Sequence, residues 1–330
     1  MTPEDAGPTQ DTLPTAVTRR PVYFDCDTGV DDALALAYLL ASPEIELVGI
    51  GSVSGNTDAA QAARNTLDLL ALAGHPEVPV AVGAHDPLVG TYAGGAPEVH
   101  GANGIGGVEL PPSGLEPVDE DAASMLVRLS HEYDGELTVL AVGPLANLAN
   151  ALELDPSIAS RVREVIVMGG AVYVPGNVGP VAEANVWHDP EAAQAVVEAA
   201  WPLTLVPLDV TLQHLLEEPD RERLLGAVHP LPRSLGTMLE QYFGYYVSVL
   251  GRRGCGLHDP LAAAIVAGGL ATSRSSTVVI EVDVTDGPER GRTRAVDSAP
   301  TGASRPVTVV LETDRPLAPH LLERVLAEFG

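Results

Sequence analysis

Apolar residues follow two rhythms along the chain. Short, continuous, largely β-branched runs at 21–25, 45–53, 78–82, 137–142, 164–168 and 203–207 predict strands buried on both faces. Between them, apolar residues three and four apart predict helices over 31–41, 57–73, 121–131, 145–152 and 190–200. Helical spacing returns at 235–250 and 259–267. Towards the C-terminus the character changes, with strands predicted at 277–284 and 306–312 and a closing helix at 318–329. Residues 83–118 are rich in Gly and Pro with little periodicity, which predicts a long functional loop region. Strand and helix in alternation place the chain in the α/β class: a single domain over 21–330, with a mainly parallel central sheet flanked by helices. Residues 1–20 are polar and are expected to form a disordered N-terminal extension. In such folds ligands bind beyond the carboxyl ends of the strands, so the chemistry is sought where each strand stops.

Composition narrows the class. The 330 residues are 45% hydrophobic and only 4% aromatic, so the core must be built mainly from Ala, Val and Leu. No apolar run reaches the roughly 18 residues that a membrane helix needs. Net charge is -27, from 45 acidic and 18 basic residues, and every basic residue is Arg. Nucleic acids and anionic membranes bind basic surfaces, so neither is an expected partner. Residues 1–20 lack the apolar stretch of a signal peptide. Cys26 and Cys255 are far apart, one at a strand end and one in a Gly-rich loop. They predict no disulfide, and a cytoplasmic location is expected.

Charge gathers at one strand end, in Val22-Tyr-Phe-Asp-Cys-Asp-Thr-Gly-Val-Asp-Asp32. Asp25, Asp27, Asp31 and Asp32 follow the first strand so closely that they would repel strongly in a partly buried site. A cation would relieve them. Their oxygens are hard ligands with no Cys/His cluster beside them, which selects calcium or magnesium over zinc. Gly29 permits the sharp turn from strand to helix, and Asp31 and Asp32 then meet the positive end of a helix dipole. Ordinary helix capping explains Asp31 or Asp32 alone, but not Asp25 and Asp27 as well. Asp259, in Leu-His-Asp-Pro at the start of a later helix, is a second candidate ligand, and His258 a candidate acid or base. A helix cap beside a surface His explains that pair equally well.

The segment Asp25-Cys-Asp-Thr-Gly-Val-Asp-Asp32 closely resembles the N-terminal signature of the nucleoside hydrolases, the inosine–uridine preferring N-ribohydrolases. The likeness continues through Ser54-Gly-Asn56, His100-Gly-Ala-Asn-Gly-Ile-Gly106, Val142-Gly-Pro-Leu-Ala-Asn-Leu-Ala149 and Val167-Met-Gly-Gly170. Gly176-Asn177, Ala182-Glu-Ala-Asn185, Asp189-Pro-Glu-Ala-Ala and His258-Asp-Pro complete it. The resemblance implies a Rossmann-like fold and an enzyme that cuts the bond between a nucleobase and ribose. Calcium would be held by Asp27, Asp32, Asp259 and the backbone carbonyl of Val142, with the ribose 2′- and 3′-hydroxyls and one water completing its shell. That calcium-bound water would be the nucleophile. Asp31, Asn56 and Asn185 would bind the hydroxyls, Asn177 and Glu183 the 5′-hydroxyl, and Met168 would pack under the sugar. Asp25 would support the cluster from behind. Asp27 would be the base that activates water, and His258 the acid for the departing nucleobase, with His100 also facing that base. Inosine and uridine, or pyrimidine ribonucleosides, are the expected substrates, and a homodimer or homotetramer the expected assembly.

Some residues depart from the family pattern or allow a plainer reading. The loop from Met168 to Asn177 is one residue longer than expected, and Ala146 replaces a hydroxyl residue. His100 could only shape its loop, Met168 could be plain core, and the three Asn residues could be turn formers. One ring of Tyr242-Phe-Gly-Tyr-Tyr246 could close over the base, against ordinary packing of an amphipathic helix. Two other functions stand beside the first. Magnesium-dependent phosphohydrolases of the haloacid dehalogenase type also begin strand-Asp-x-Asp, but they carry Thr or Val where Gly29 stands and use a Lys that this chain lacks. A non-catalytic nucleoside-binding protein would have no need of Asp27, Asp32, Asp259 and His258 together.

Overall fold

A computed structural model describes residues 19–296 and 305–330. The expectation for residues 1–20 lies outside this range except at its end, where Arg20 already opens the first strand. The chain begins β1 (Arg20–Cys26), α1 (Val30–Leu40), β2 (Ile45–Ser52), α2 (Ala59–Ala73) and β3 (Val80–Val82). After the long loop come α3 (Pro97–His100), α4 (Ala122–Glu132), β4 (Thr138–Ala141), α5 (Ala146–Leu154), α6 (Ile158–Arg161) and β5 (Glu164–Met168). Then follow α7 (Ala184–His188), α8 (Pro190–Glu198), β6 (Leu203–Val206) and α9 (Leu208–Thr211). β7 (Leu215–Glu217), α10 (Glu218–Leu225), α11 (Pro230–Leu250), β8 (Gly254–Gly256) and α12 (His258–Val266) lead to β9 (Thr272–Val282), β10 (Thr293–Val296), β11 (Val307–Thr313) and α13 (Leu317–Phe329).

The main sheet has nine strands in the order β10-β9-β11-β6-β5-β4-β1-β2-β3. From β11 to β3 every pairing is parallel; β9 and β10 join antiparallel at one edge. The run β3-β2-β1-β4-β5-β6 is the doubly wound order, whose topological switch lies between β1 and β4. The crevice between their carboxyl ends is therefore where this topology places a ligand.

Continuous apolar strands form because both faces of the sheet are covered. Val22, Phe24 and Cys26 of β1 point into a core shared with α1, α2, α11, α12 and α13, whereas Tyr23 points into the opposite core with α4, α5 and α8. α1 is buried from Val30 to Leu39, since it lies against the sheet on one side and α11 to α13 on the other. That explains why its apolar residues run almost unbroken after Asp32. α1 and α12 pack together and start with Asp31-Asp32 and His258-Asp259, so two helix N-termini bring acidic residues to one place.

The structure departs from the expected pattern at several elements. α11 starts at Pro230, ahead of the expected 235, and Pro230 stands at its first position, where the missing N–H leaves no bond unmade. β9 starts at Thr272, ahead of the expected 277, because its first residues are exposed and polar. The Gly-rich stretch around Cys255 is a strand, β8, paired antiparallel with β7. Cys26 and Cys255 are both free and buried. No helix among the described residues is long and apolar enough to cross a membrane.

Candidate active site

Asp27 opens the first βα turn, directly after β1. Its Oδ2 accepts a hydrogen bond from the backbone N–H of Asn56 at 2.6 Å, while its Oδ1 is buried with no partner. Asp32 accepts from the N–H of Asp27 at 3.1 Å and of Gly29 at 2.8 Å, so its side chain closes the turn as well as entering the site. The side-chain amide of Asn56 donates to Asp32 Oδ2 at 3.1 Å. Asp31 accepts from the Tyr242 hydroxyl at 3.0 Å through Oδ2, and its Oδ1 is buried without a partner. One carboxylate oxygen from each of Asp31, Asp32 and Asp259 lies within 4.8 Å of the others. This trio includes Asp31, for which the resemblance implies a sugar contact rather than a metal contact, and it does not include Asp27, an expected metal ligand.

Electrostatics mark the same residues. Burial, with the Asp31 charge added, pushes Asp32 up to about 7. Asp27 is raised well above the usual carboxylate range by burial and then by Asp32. Asp259 is raised by burial and then by Asp31, Asp32, Asp27 and Glu183. Four acidic groups in low dielectric cannot all ionise without a counter-charge. Unpaired buried oxygens on Asp27 and Asp31, in an all-oxygen donor set, fit a hard divalent cation. Asp25 faces away, into the opposite core, where the Tyr23 hydroxyl and the Asn147 amide both donate to its Oδ2, at 2.9 and 3.0 Å. Burial pushes it up to about 7 even so.

On the β4–β5 side, the Asn185 amide donates to the carbonyl of Val142 at 2.7 Å and to that of Met168 at 3.2 Å, which draws Val142, Met168 and Asn185 together. Glu183 is buried and caps α7, accepting from the N–H groups of Gly170, Asn185 and Val186. Asn177 lies on the loop before α7. It is exposed, and its side-chain oxygen accepts from Ala184 N–H at 3.0 Å.

A wall of rings closes the remaining side. His100 is buried, and its Nδ1 accepts from the N–H of Val30 at 3.1 Å. A nitrogen that accepts from a backbone N–H carries no proton, so neutral His100 presents Nε2–H. Its ring lies 5.1 Å from that of Tyr242, which lies 5.0 Å from that of Tyr246. The Tyr246 hydroxyl reaches His258 Nε2 at 2.6 Å, and Thr211 Oγ1 reaches His258 Nδ1 at 2.8 Å. Burial lowers both histidines. Both Tyr242 and Tyr246 therefore bond to residues of the site, a role that their four-residue spacing on α11 allowed but did not demand. Asn147 lay within a quoted motif without a role. Thr211 had no sequence signal.

Comparison with known proteins identifies the family. The sequence profile of the inosine-uridine preferring nucleoside hydrolases matches residues 22–318. Uridine nucleosidase 1 of Arabidopsis thaliana is 39% identical over 261 residues, 79% of this chain and 78% of that protein. A pyrimidine-specific ribonucleoside hydrolase, RihA, of an Enterobacter species is 33% identical over 94% of this chain and 98% of its own. Among solved structures, a plant nucleoside hydrolase superposes with a TM-score of 0.89 at 32% identity, over 93% of this chain and 99% of that one. A purine-preferring ribonucleoside hydrolase from Gardnerella vaginalis gives 0.87 at 34% identity, over 94% and 99%. Neither the phosphohydrolase nor the non-catalytic reading survives these matches: the chain belongs to the inosine-uridine preferring nucleoside hydrolases, a family of N-glycosyl hydrolases.

Proposed function

We propose that the protein hydrolyses the N-glycosidic bond of ribonucleosides to free base and ribose, with uridine and inosine, or pyrimidine ribonucleosides generally, as substrates. The observation that carries this is the buried trio of Asp31, Asp32 and Asp259, electrostatically linked to Asp27, beside two helix N-termini, with unpaired oxygens on Asp27 and Asp31 and His and Tyr rings alongside. Uridine enters on the named activity of the Arabidopsis relative, and pyrimidines on that of the Enterobacter one.

Asp27, Asp32, Asp259 and the Val142 carbonyl would hold calcium, with Asp31 close enough to share it. Bound there, calcium supplies positive charge that offsets the carboxylates and polarises oxygen atoms placed against it. Asp27 takes the proton of the attacking water, and its raised affinity for protons suits that task. Asp31, Asn56 and Asn185 bind the 2′- and 3′-hydroxyls. Glu183 and Asn177 hold the 5′-hydroxyl; Glu183 keeps acceptor capacity beyond its cap bonds. Met168 packs under the sugar. Positive charge grows on the ribose as the bond breaks, and the surrounding carboxylates stabilise it most in a dry site. His258 and the Tyr246 hydroxyl against its Nε2 form the acid pair for the leaving base, and His100 donates Nε2–H to it.

The test is release of free ribose from a panel of ribonucleosides, with calcium and with a chelator. Ribose should appear from uridine and inosine with calcium, and stop on chelation. Deoxyuridine should react far more slowly, because it lacks one of the paired hydroxyls. No ribose from any member of the panel would overturn the proposal.

A further inference from the structure

His258 is buried with both ring nitrogens engaged, Nδ1 by Thr211 and Nε2 by Tyr246. Thr211 ends α9 and is itself buried. Its hydroxyl has no other hydrogen-bond partner among the described residues. A buried hydroxyl has one hydrogen to donate, and leaving that hydrogen unpaired away from water is costly. Among the described residues, the one hydrogen-bond acceptor it meets is Nδ1 of His258. Nδ1 then carries no proton, and the single proton of neutral imidazole sits on Nε2. Nε2–H donates to the Tyr246 oxygen, so the Tyr246 hydrogen cannot also point at His258. It is then free for another acceptor. The opposite tautomer would strand the Thr211 hydrogen and draw the Tyr246 hydrogen back onto the imidazole.

We propose that Thr211 is a positioning residue for leaving-group protonation: it fixes His258 in the Nε2–H tautomer, so that Tyr246 offers its hydroxyl hydrogen to the departing base. This rests on the hydrolase reading above. In the step, the bond between ribose carbon and base nitrogen breaks and its electron pair goes to the base. The base nitrogen, or an oxygen conjugated to it, takes the Tyr246 proton. The Tyr246 oxygen is then held by the hydrogen bond from Nε2–H. The attacking water forms the new bond to the ribose carbon and gives its proton to Asp27, which returns it through solvent to Tyr246. Only water and nucleoside are consumed.

The experiment compares wild type with Thr211→Val, which keeps shape and removes the hydroxyl, and Thr211→Ser, which keeps the hydroxyl. Each is assayed on uridine and on 4-nitrophenyl riboside, whose leaving group needs no proton. The tautomer of His258 is read from ¹⁵N-histidine spectra, assigned with a His258→Phe variant. Thr211→Val should slow uridine about 10- to 100-fold and nitrophenyl riboside less than about threefold, since general acid catalysis supplies factors of that order only where a proton is needed. Thr211→Ser should recover uridine turnover, and His258 should read Nε2–H in wild type and lose that preference in Thr211→Val. Equal losses on both substrates would overturn the proposal. So would an Nδ1–H tautomer in wild type, which needs no variant to fold. Wild type that turns over neither substrate would instead overturn the hydrolase reading and this proposal with it.

Discussion

Asp27 has two oxygens in unlike surroundings, one fixed by Asn56 N–H and one buried without a partner. The fixed oxygen aims the free one, which suits the residue to the base role proposed for it. Asp27→Ala should abolish ribose release, by at least about 10²-fold, the low end for losing a general base. Gly55 explains how close that placement is. A Cβ there would lie 2.0 Å from Asp27 Oδ2 and 2.8 Å from Pro144 Cδ. Gly55→Ala should therefore cut kcat on uridine severely while leaving the circular-dichroism spectrum of the fold unchanged. Protonation of the cluster gives a further test. Burial raises Asp25 and Asp32 to about 7 in the folded protein, against about 3.9 for an unfolded Asp. Groups raised on folding stabilise below their unfolded pKa and lose that contribution as pH rises through the folded one. In chelator, wild-type Tm should lose more than that of Asp32→Asn as pH is raised from about 4 to above about 7, and calcium, which favours the ionised carboxylates, should lessen the difference. An Asp32→Asn variant whose Tm follows pH as wild type does would contradict the account.

Among the elements, α11 carries the most. It places Tyr242 on Asp31 and Tyr246 on His258, four residues apart and so on one face. Its other face meets solvent at Gly244, where an added Cβ would touch nothing within 4 Å. Gly244→Ala should stabilise the protein by about 1 kcal/mol, the usual cost of Gly in a helix interior, as read from urea unfolding. β1, β2 and β5 were legible because strands covered on both faces must be continuously apolar. The first turn of α11 was hidden by Pro230 and Pro232, which read as breakers within the chain but are harmless where N–H groups are unpaired anyway. β7 and β8 span three residues each and carry no period to read. The carboxylates were legible because four of them crowd one strand end. The link from Thr211 through His258 to Tyr246 was not, because tertiary packing alone joins α9, α12 and α11 there.

At the scale of the whole molecule, the doubly wound sheet brings together residues that stand far apart in sequence. Asp27 follows β1, Val142 follows β4, Met168 ends β5, and Asp259 lies in the first turn of α12 beside Asp31 and Asp32 of α1. A chain of net charge -27 resists gathering still more negative charge at one point, so a bound cation should contribute to folding as well as to catalysis. The most direct measurement is calorimetric titration of calcium into chelator-treated protein, wild type beside Asp32→Ala and Asp259→Ala. One ion should bind per wild-type chain, and neither variant should bind it. Wild type that takes up no calcium, or variants that bind it as wild type does, would contradict the claim that these carboxylates share a cation.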